Sequence, residues 1–141
     1  MKTLLLLLAT AAILAAQEPP AEPAASPRSR ALELAGAFAN DGYKIRDGFW
    51  TGTLEPGKPK VLQVNLFSGN EYWFSAATLS PKAKLSVAIY DESGRPVEGE
   101  LFQDGSVAAA GLAADASGKY FIRIVLAGEE KADFCLVYSY K

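Results

Sequence analysis

The sequence predicts an all-β protein, an antiparallel, jelly-roll-like β-sandwich of about eight strands with one short N-terminal helix. Three observations lead to this expectation. Apolar and polar residues alternate with a period of two along most of the chain after residue 43. Gly, Pro, Asn, Asp and Ser interrupt the alternation at short, regular intervals. Half of the 141 residues are apolar and 21% are charged, a balance typical of one folded domain.

Residues 1–16 have the pattern of a secretory signal peptide. Lys2 supplies a positive start, Leu4–Leu14 is almost wholly apolar, and the small residues Ala15 and Ala16 lead to the polar Gln17. The apolar run is shorter than the roughly 20 residues that a membrane-spanning helix needs. We therefore expect cleavage after Ala16, a periplasmic or extracellular location and no membrane span afterwards. An uncleaved membrane anchor is the alternative.

The segment after the signal peptide is predicted to be a linker. Residues 17–30 contain half of the eight prolines and no apolar side chain larger than Ala, so the segment cannot bury enough surface to fold. Residues 31–141 contain all 12 glycines and are predicted to form the single β-sandwich domain.

The elements of this domain follow from the residue pattern. Leu32, Ala35 and Phe38 recur at helical spacing and predict a helix over Ala31–Asn40, which Gly42 ends. Period-two alternation predicts the strands that follow, with one solvated face on each sheet. The predicted strands are 43–46, 49–54, 61–67, 71–78, 84–90, 97–102, 107–113, 119–126 and 132–140. The residues predicted to face inwards are Leu62, Val64, Leu66, Tyr72, Phe74, Ala76, Leu85, Val87, Ile89, Tyr120, Ile122, Ile124, Leu126, Phe134, Leu136, Tyr138 and Tyr140.

Part of this pattern resembles a known family. The sequence reads Leu-x-Val-x-Ile-Tyr-Asp-x-x-Gly over residues 85–94, Ser-Gly-x-Tyr-x-Ile-x-Ile over residues 117–124 and Asp-Phe-x-Leu over residues 133–136. These motifs resemble the bacterial pre-peptidase C-terminal domain, a relative of the collagen-binding domains of bacterial collagenases. The resemblance covers residues 61–140 and implies a jelly-roll-like sandwich of this size. The acidic cluster that binds calcium in the collagen-binding relatives has no counterpart near residues 31–47, so neither calcium nor collagen is implied.

The composition excludes several kinds of chemistry. With no His, the chain has no His-based triad, general base or metal ligand, and with one Cys it has no disulfide framework or thiolate zinc site. No Ser-x-x-Lys motif offers another base for a serine nucleophile. A formal charge of −2 gives no electrostatic reason to expect a nucleic-acid partner. We therefore predict a protein that is not an enzyme and has no cofactor and no metal. The lone Cys135 is predicted to be buried and inert.

Acidic residues fall where turns are expected. Asp91–Glu92 and Glu129–Glu130 are adjacent pairs, and neighbours on an extended chain point in opposite directions, so the pairs are interpreted as solvated turn charges. Asp41, Asp47 and Asp104 each precede a glycine, as calcium-binding loops also allow. Asp-Gly is a common turn dipeptide, and no regular calcium-loop spacing accompanies it.

Aromatic residues are the most informative candidates for a binding site. Most of them fall on the inward register, but Trp73, Tyr90 and Phe121, together with Phe67, fall on the outward register of their strands. Outward aromatic residues on a sandwich contact either a ligand or a cover supplied by the chain itself or a neighbouring chain. We therefore name Trp73, Tyr90 and Phe121 as candidate ligand-binding residues, with cover by the predicted helix as the alternative.

These observations together predict the class of protein. The expected function is that of an exported, non-catalytic module that binds a protein, peptide or glycan at the cell envelope or outside the cell. The alternative is a structural or accessory envelope protein with no small ligand.

Overall fold

The computed structural model describes residues 25–141 and consists of two antiparallel sheets packed face to face, with one helix on the outside. The predicted signal peptide (residues 1–16) and most of the predicted linker (residues 17–30) lie outside the described residues. Helix α1 is Pro27–Gly36, and a single 3-10 turn follows at Ala39–Asp41. The strands in this part of the chain are β1 (Lys44–Ile45), β2 (Trp50–Leu54), β3 (Lys60–Leu66), β4 (Glu71–Thr78), β5 (Lys84–Tyr90), β6 (Glu100–Asp104), β7 (Val107–Ala113), β8 (Gly118–Ala127) and β9 (Ala132–Tyr140).

The strands form a six-stranded and a three-stranded sheet. In sheet A the order is β1-β9-β4-β7-β6, with β2 also paired to β9, and in sheet B the order is β3-β8-β5. Every pairing is antiparallel, and the central strands β4, β8 and β9 are the longest. The predicted all-β sandwich with one short N-terminal helix is therefore confirmed, with nine strands in residues 25–141 where about eight were expected.

The core between the sheets consists of the alternating residues that the sequence singles out. Phe74, Ile122, Ile124, Leu126 and Leu136 have no exposed surface. Since a shift of one residue would turn each of these side chains to the opposite face, their place in the cluster between the two sheets confirms the register. The prediction for Tyr140 was wrong: it is the last residue of β9, where the sheet ends, and 38% of its surface is exposed.

Helix α1 begins and ends four residues earlier than predicted. Ser26 caps it: its hydroxyl accepts a hydrogen bond from the Ser29 backbone N–H at 3.0 Å, and its own N–H donates to the Ser29 hydroxyl at 2.9 Å. Pro27 occupies the first turn, where a missing N–H costs nothing. Ser26 and Pro27 lie inside the segment predicted as linker (residues 17–30). The folded domain therefore begins before residue 31, the predicted boundary.

The expectation of one solvated face per sheet was wrong for sheet A. Helix α1 lies against its outer face through Ala31 and Ala35, which pack with Ala77, Cys135 and Val137 in a second buried cluster. Small side chains on both surfaces let the helix axis approach the sheet closely. Along β4 and β9 nearly every residue is consequently buried, and sheet B is left as the sheet with a solvated outer face.

Two edge segments of sheet A depart from a regular ladder. Ile45 pairs with Ser139, the Arg46 N–H still donates to the Tyr138 carbonyl, and Trp50 pairs with Leu136, so residues 47–49 bulge out opposite Val137 alone. The segment 43–50, to which the family resemblance does not extend, thus consists of β1, the bulge and the first residue of β2. At the other edge, the strand predicted at 97–102 forms instead at Glu100–Asp104.

Candidate functional site

Tyr90 and Phe121 lie side by side on the outer face of sheet B. They are direct cross-strand partners in the β5–β8 ladder, and Gln63 on β3 pairs with Phe121 from the other side. Both aromatic side chains are half-buried against their strand neighbours. Gln63, Phe121 and Tyr90 form one row across the sheet. Two of the three predicted ligand-binding residues, Tyr90 and Phe121, therefore lie next to each other.

A second row contains Arg123 at its centre. Arg123 on β8 pairs with Ala88 on β5 and with Val61 on β3, and 55% of the Val61 surface is exposed. Small and apolar neighbours leave the guanidinium free to extend over the Tyr90–Phe121 row or towards solvent. We call this surface the open face. It comprises the outward residues of β3, β5 and β8, namely Val61, Gln63, Asn65, Lys84, Ser86, Ala88, Tyr90, Lys119, Phe121, Arg123 and Val125.

The open face is positively charged in a chain whose formal charge is −2. Lys84, Lys119 and Arg123 all point outwards from it, and none of its residues is an acid. Within residues 25–141, none of these three cations makes an ion pair. Their charges are therefore free to attract carboxylates on a partner.

A cleft of about 410 Å³ continues the open face at one end of the sandwich. One wall is the turn after β5, with Asp91, Glu92 and Ser93, and the other is formed by Ser117 in the turn before β8 and by Lys119 near the start of β8. Tyr90 directly precedes Asp91, and Phe121 follows Tyr120 of the cleft lining, so the aromatic row lies beside the cleft.

Hydrogen bonds hold the first wall of the cleft rigid. The Asp91 carboxylate accepts from the Ser93 hydroxyl at 2.7 Å, from the Ser93 N–H at 3.0 Å and from the Arg95 N–H at 3.0 Å. The Ser93 hydroxyl, followed by the Arg95 N–H, lowers the pKa of Asp91 below its ordinary value. All three bonds end on Asp91 Oδ1, so Asp91 Oδ2 and the Glu92 carboxylate are the acceptors on that wall that remain for a partner.

The second wall is fixed in the same manner. The Ser117 hydroxyl accepts from the Ser68 N–H at 2.8 Å, and the Tyr120 hydroxyl donates to the Ala116 carbonyl at 2.6 Å. The cleft is thus bordered by two braced turns that present their side chains without a prior rearrangement.

Trp73 lies on the opposite side of the molecule, on the outer face of sheet A. Its ring is stacked under Phe38, with centroids 4.1 Å apart and planes 7° from parallel, and only 8% of the residue is exposed. The chain itself therefore supplies a cover, although through a residue just beyond α1 and not within it. Trp73 still contributes to the wall of a small pocket of about 190 Å³, together with Tyr43, Glu71 and Glu100.

Cys135 is fully buried beneath α1, as predicted. Burial raises the pKa of its thiol above the ordinary value. A neutral thiol in a packed cluster is a poor nucleophile.

The acidic residues of the described part of the chain do not form a metal-binding cluster. No cluster of three or more Asp, Glu, Cys or His side chains with metal-binding geometry is present in residues 25–141. Asp41 and Asp104 lie in or beside chain turns, and Asp47 lies in the bulge between β1 and β2. Of the helices in the described part of the chain, none has the length and apolar character that crossing a bilayer requires.

Sequence reasoning missed Arg123, Val61 and Lys119 as members of the open face. The alternation that places Tyr120 and Ile122 inwards also places these residues outwards, so the signal was present. What the alternation lacks is the pairing of strands: only the order β3-β8-β5 brings Val61, Arg123 and Phe121 together. Phe67, with 57% of its surface exposed, follows β3 at its end and lies outside the paired rows.

Comparison with known proteins gives structural likenesses and no family. No family model and no curated protein matches the chain, so the resemblance to the pre-peptidase C-terminal domain stays a prediction. The crystal structure of Aeromonas hydrophila PliG, a periplasmic lysozyme inhibitor of g-type lysozyme, is similar with a TM-score of 0.48 and 18% identity. The similarity covers 72% of this chain and 90% of that one. At this identity it carries no information about what the present chain binds.

Proposed function

We propose that the protein is an exported, non-catalytic module that binds another protein through the open face of sheet B. The observation that carries the proposal is the cross-strand pair Tyr90–Phe121 beside Arg123 on a sheet face over which no described element lies. Aromatic residues and Arg are the residue types enriched where protein surfaces meet. The pattern of residues 1–16 supports export to the periplasm or beyond.

The shape of the face favours a protein over a small ligand or a short glycan. Sites for small molecules are concave and enclose most of the ligand surface. The Tyr90–Phe121–Gln63 row instead lies on an open sheet, with concavity only at the terminal cleft. A partner protein can cover the sheet and insert one side chain into that cleft.

Charge defines the partner surface further. Lys119 and Arg123 flank Phe121 along β8, Lys84 lies at the other end of the open face, and the cleft adds Glu92 at its far wall. A partner surface with carboxylates opposite these cations would complement the charge of the open face. Steering by such charges raises the association rate and weakens with added salt.

The second candidate function is that of a structural envelope protein with no ligand. The sealed stack of Phe38 on Trp73 favours it, because there the chain covers its own outward aromatic residue. Tyr90 and Phe121 have no equivalent cover among residues 25–141.

Site-specific photo-crosslinking in the producing cells separates the two. Benzoylphenylalanine replaces Phe121 in one strain and Phe49 in another. Phe49 is the control, because it is an exposed aromatic residue that lies at the bulge of sheet A, away from the open face. We expect one exported protein to crosslink at position 121 and not at position 49. Equal crosslinking at both positions, or none at either, would favour the structural alternative.

A further inference from the structure

Strand β6 forms an edge of sheet A, and its side chains are unusually apolar for that position. Among residues 25–141 it pairs with β7 alone, and all five of its residues are exposed. Leu101 is 66% exposed and Phe102 41% exposed. Every second N–H and C=O of such a strand points away from its partner and is free to pair with an added strand.

An apolar groove runs beside this edge, where the two sheets of the sandwich separate. It has a volume of about 560 Å³, and Ile89, Val97, Leu101 and Ala110 contribute to its lining. Leu101 pairs with Ala110 on the inner face of sheet A, so it stands at the rim of the groove. A strand added to β6 would direct alternate side chains into this groove.

The other face of β6 is acidic. Glu100 and Asp104 flank Phe102 on the outer face, Glu98 precedes the strand, and none of these carboxylates makes an ion pair within residues 25–141. Glu100 also borders the pocket walled by Trp73 and Tyr43. Carboxylates beside aromatic rings provide a favourable environment for an ammonium or guanidinium group.

The same charges disfavour pairing between two copies of this chain. Antiparallel pairing of β6 with itself, centred on Phe102, would place Glu100 of one copy opposite Asp104 of the other. Like charges directly opposite each other on a sheet are destabilising. The complement of β6 is therefore a strand with Lys or Arg at those two positions.

From these contacts we propose that β6 is a strand-addition site for an extended, basic segment of a partner protein. The segment pairs with the β6 backbone, turns apolar side chains into the Leu101 groove and turns Lys or Arg towards Glu100 and Asp104. This mode of recognition takes its affinity from main-chain hydrogen bonds and its specificity from alternate side chains. The site lies at the edge of sheet A, shares only Ala88 with the open face and does not depend on the function proposed for that face.

The test uses the full folded chain and short blocked peptides. One peptide has lysine at the two positions that face Glu100 and Asp104, with valine, tyrosine and leucine between them. A second has glutamate in place of both lysines, and a third has the lysine sequence with alternate backbone amides N-methylated. Titration calorimetry measures binding, and amide hydrogen exchange locates it.

We expect the lysine peptide alone to bind and to slow hydrogen exchange in residues 100–104. Leu101→Asp should weaken its binding about tenfold, which corresponds to about 1.4 kcal/mol. Replacing both Glu100 and Asp104 by Lys should transfer the preference to the glutamate peptide. The matched control replaces Glu129 and Glu130 by Lys, two exposed acids in another loop, and should change nothing.

Four results would overturn the proposal. Binding of the lysine and glutamate peptides with equal affinity would show that charge does not select the segment. Protection outside β6, or no binding at millimolar peptide, would remove the site. Protection of β6 that rises with protein concentration alone would assign the edge to self-association.

Discussion

Phe38 covers Trp73 in a parallel stack, and Gly111 on β7 lies beneath the same indole ring. The ring centroids are 4.1 Å apart, and a Cβ added at Gly111 would stand 2.7 Å from the Trp73 ring. The indole is therefore held between a side chain that follows α1 and the backbone of a neighbouring strand. The stack fixes the end of the helical segment to sheet A.

The first prediction concerns the strength of this stack. Phe38→Ala should lower the free energy of unfolding and expose Trp73, because no other described side chain is stacked on that ring. In a double-mutant cycle with Trp73→Ala the coupling should be about 0.5–1.5 kcal/mol. Urea melts give the energies, and acrylamide quenching gives the exposure once Trp50 is replaced by Phe. A Trp73 that is already quenchable in the intact chain would contradict the structure.

The second prediction concerns the space beneath the ring. Gly111→Ala should destabilise the fold by about 1–3 kcal/mol, since the new methyl group displaces the indole from a packed position. Gly36→Ala is the matched control, because nothing lies within 4 Å of its added Cβ and the residue is helical. Equal melting temperatures for the two variants would mean that Trp73 does not lie over Gly111.

The contacts of Trp73 with Phe38 and Gly111 show what the alternation of apolar and polar residues can and cannot predict. The outward register of Trp73 and the inward register of Phe74 follow from a period of two, as does the burial of Ile122. The partner of Trp73 does not follow, because Phe38 approaches from a segment whose position depends on how α1 docks. The start of α1 was present in the sequence as Ser26–Pro27, a helix cap that the linker composition obscured.

The open face illustrates the same limit. Tyr90 and Phe121 were predicted to face outwards, but their proximity depends on β5 and β8 being neighbours, which is a matter of strand order and not of local pattern. Tyr90 and Phe121 are on sheet B, whereas Trp73, predicted in the same set, is on sheet A. The alternation within one strand predicts which face of the sheet a residue occupies. The order of the strands in the sheet determines which residues lie beside it.

The third prediction concerns helix α1 as a cover. Ala35→Glu places a long charged side chain where Ala35 is 1% exposed against the cluster that contains Cys135. The helix should detach and Cys135 should become reactive towards a thiol reagent at pH 8, whereas the raised pKa keeps the native thiol inert. Glu33→Ala, on the exposed side of α1, is the control and should leave Cys135 protected. A native Cys135 that reacts at the rate of a free thiol would contradict the burial.

The fourth prediction compares two positions on β8. Ile122→Ala should cost about 2–4 kcal/mol, from lost transfer energy and a residual cavity. Val125→Ala, on the open face of the same strand, should cost clearly less because Val125 is only half-buried. Comparable losses in urea melts would mean that the strand register is wrong.

The fifth prediction concerns pH. The pKa of Asp91 is lowered in the folded protein by the Ser93 hydroxyl, so the carboxylate stabilises the turn at pH values above its ordinary value of 3.8. That contribution is lost as the pH falls below 3.8 and through the lower pKa of the folded state. Thermal melts between pH 2 and 6 should show a larger loss in the native chain than in Asp91→Asn, because Glu55, whose pKa is also lowered by its hydrogen bonds to Lys58 and Lys131, titrates in both proteins. Identical pH profiles for the two proteins would show that Asp91 does not brace the cleft.

The central claim is that the open face binds a partner protein through Arg123 and its aromatic neighbours. The most direct measurement is the affinity of the partner crosslinked at position 121, once purified, for Arg123→Glu and for Arg30→Glu. Arg30 is an equally exposed cation on α1, on the far side of the sandwich. We expect Arg123→Glu to weaken binding at least about tenfold and to reduce its salt dependence, while Arg30→Glu leaves both unchanged. Equal affinities for the two variants would contradict it.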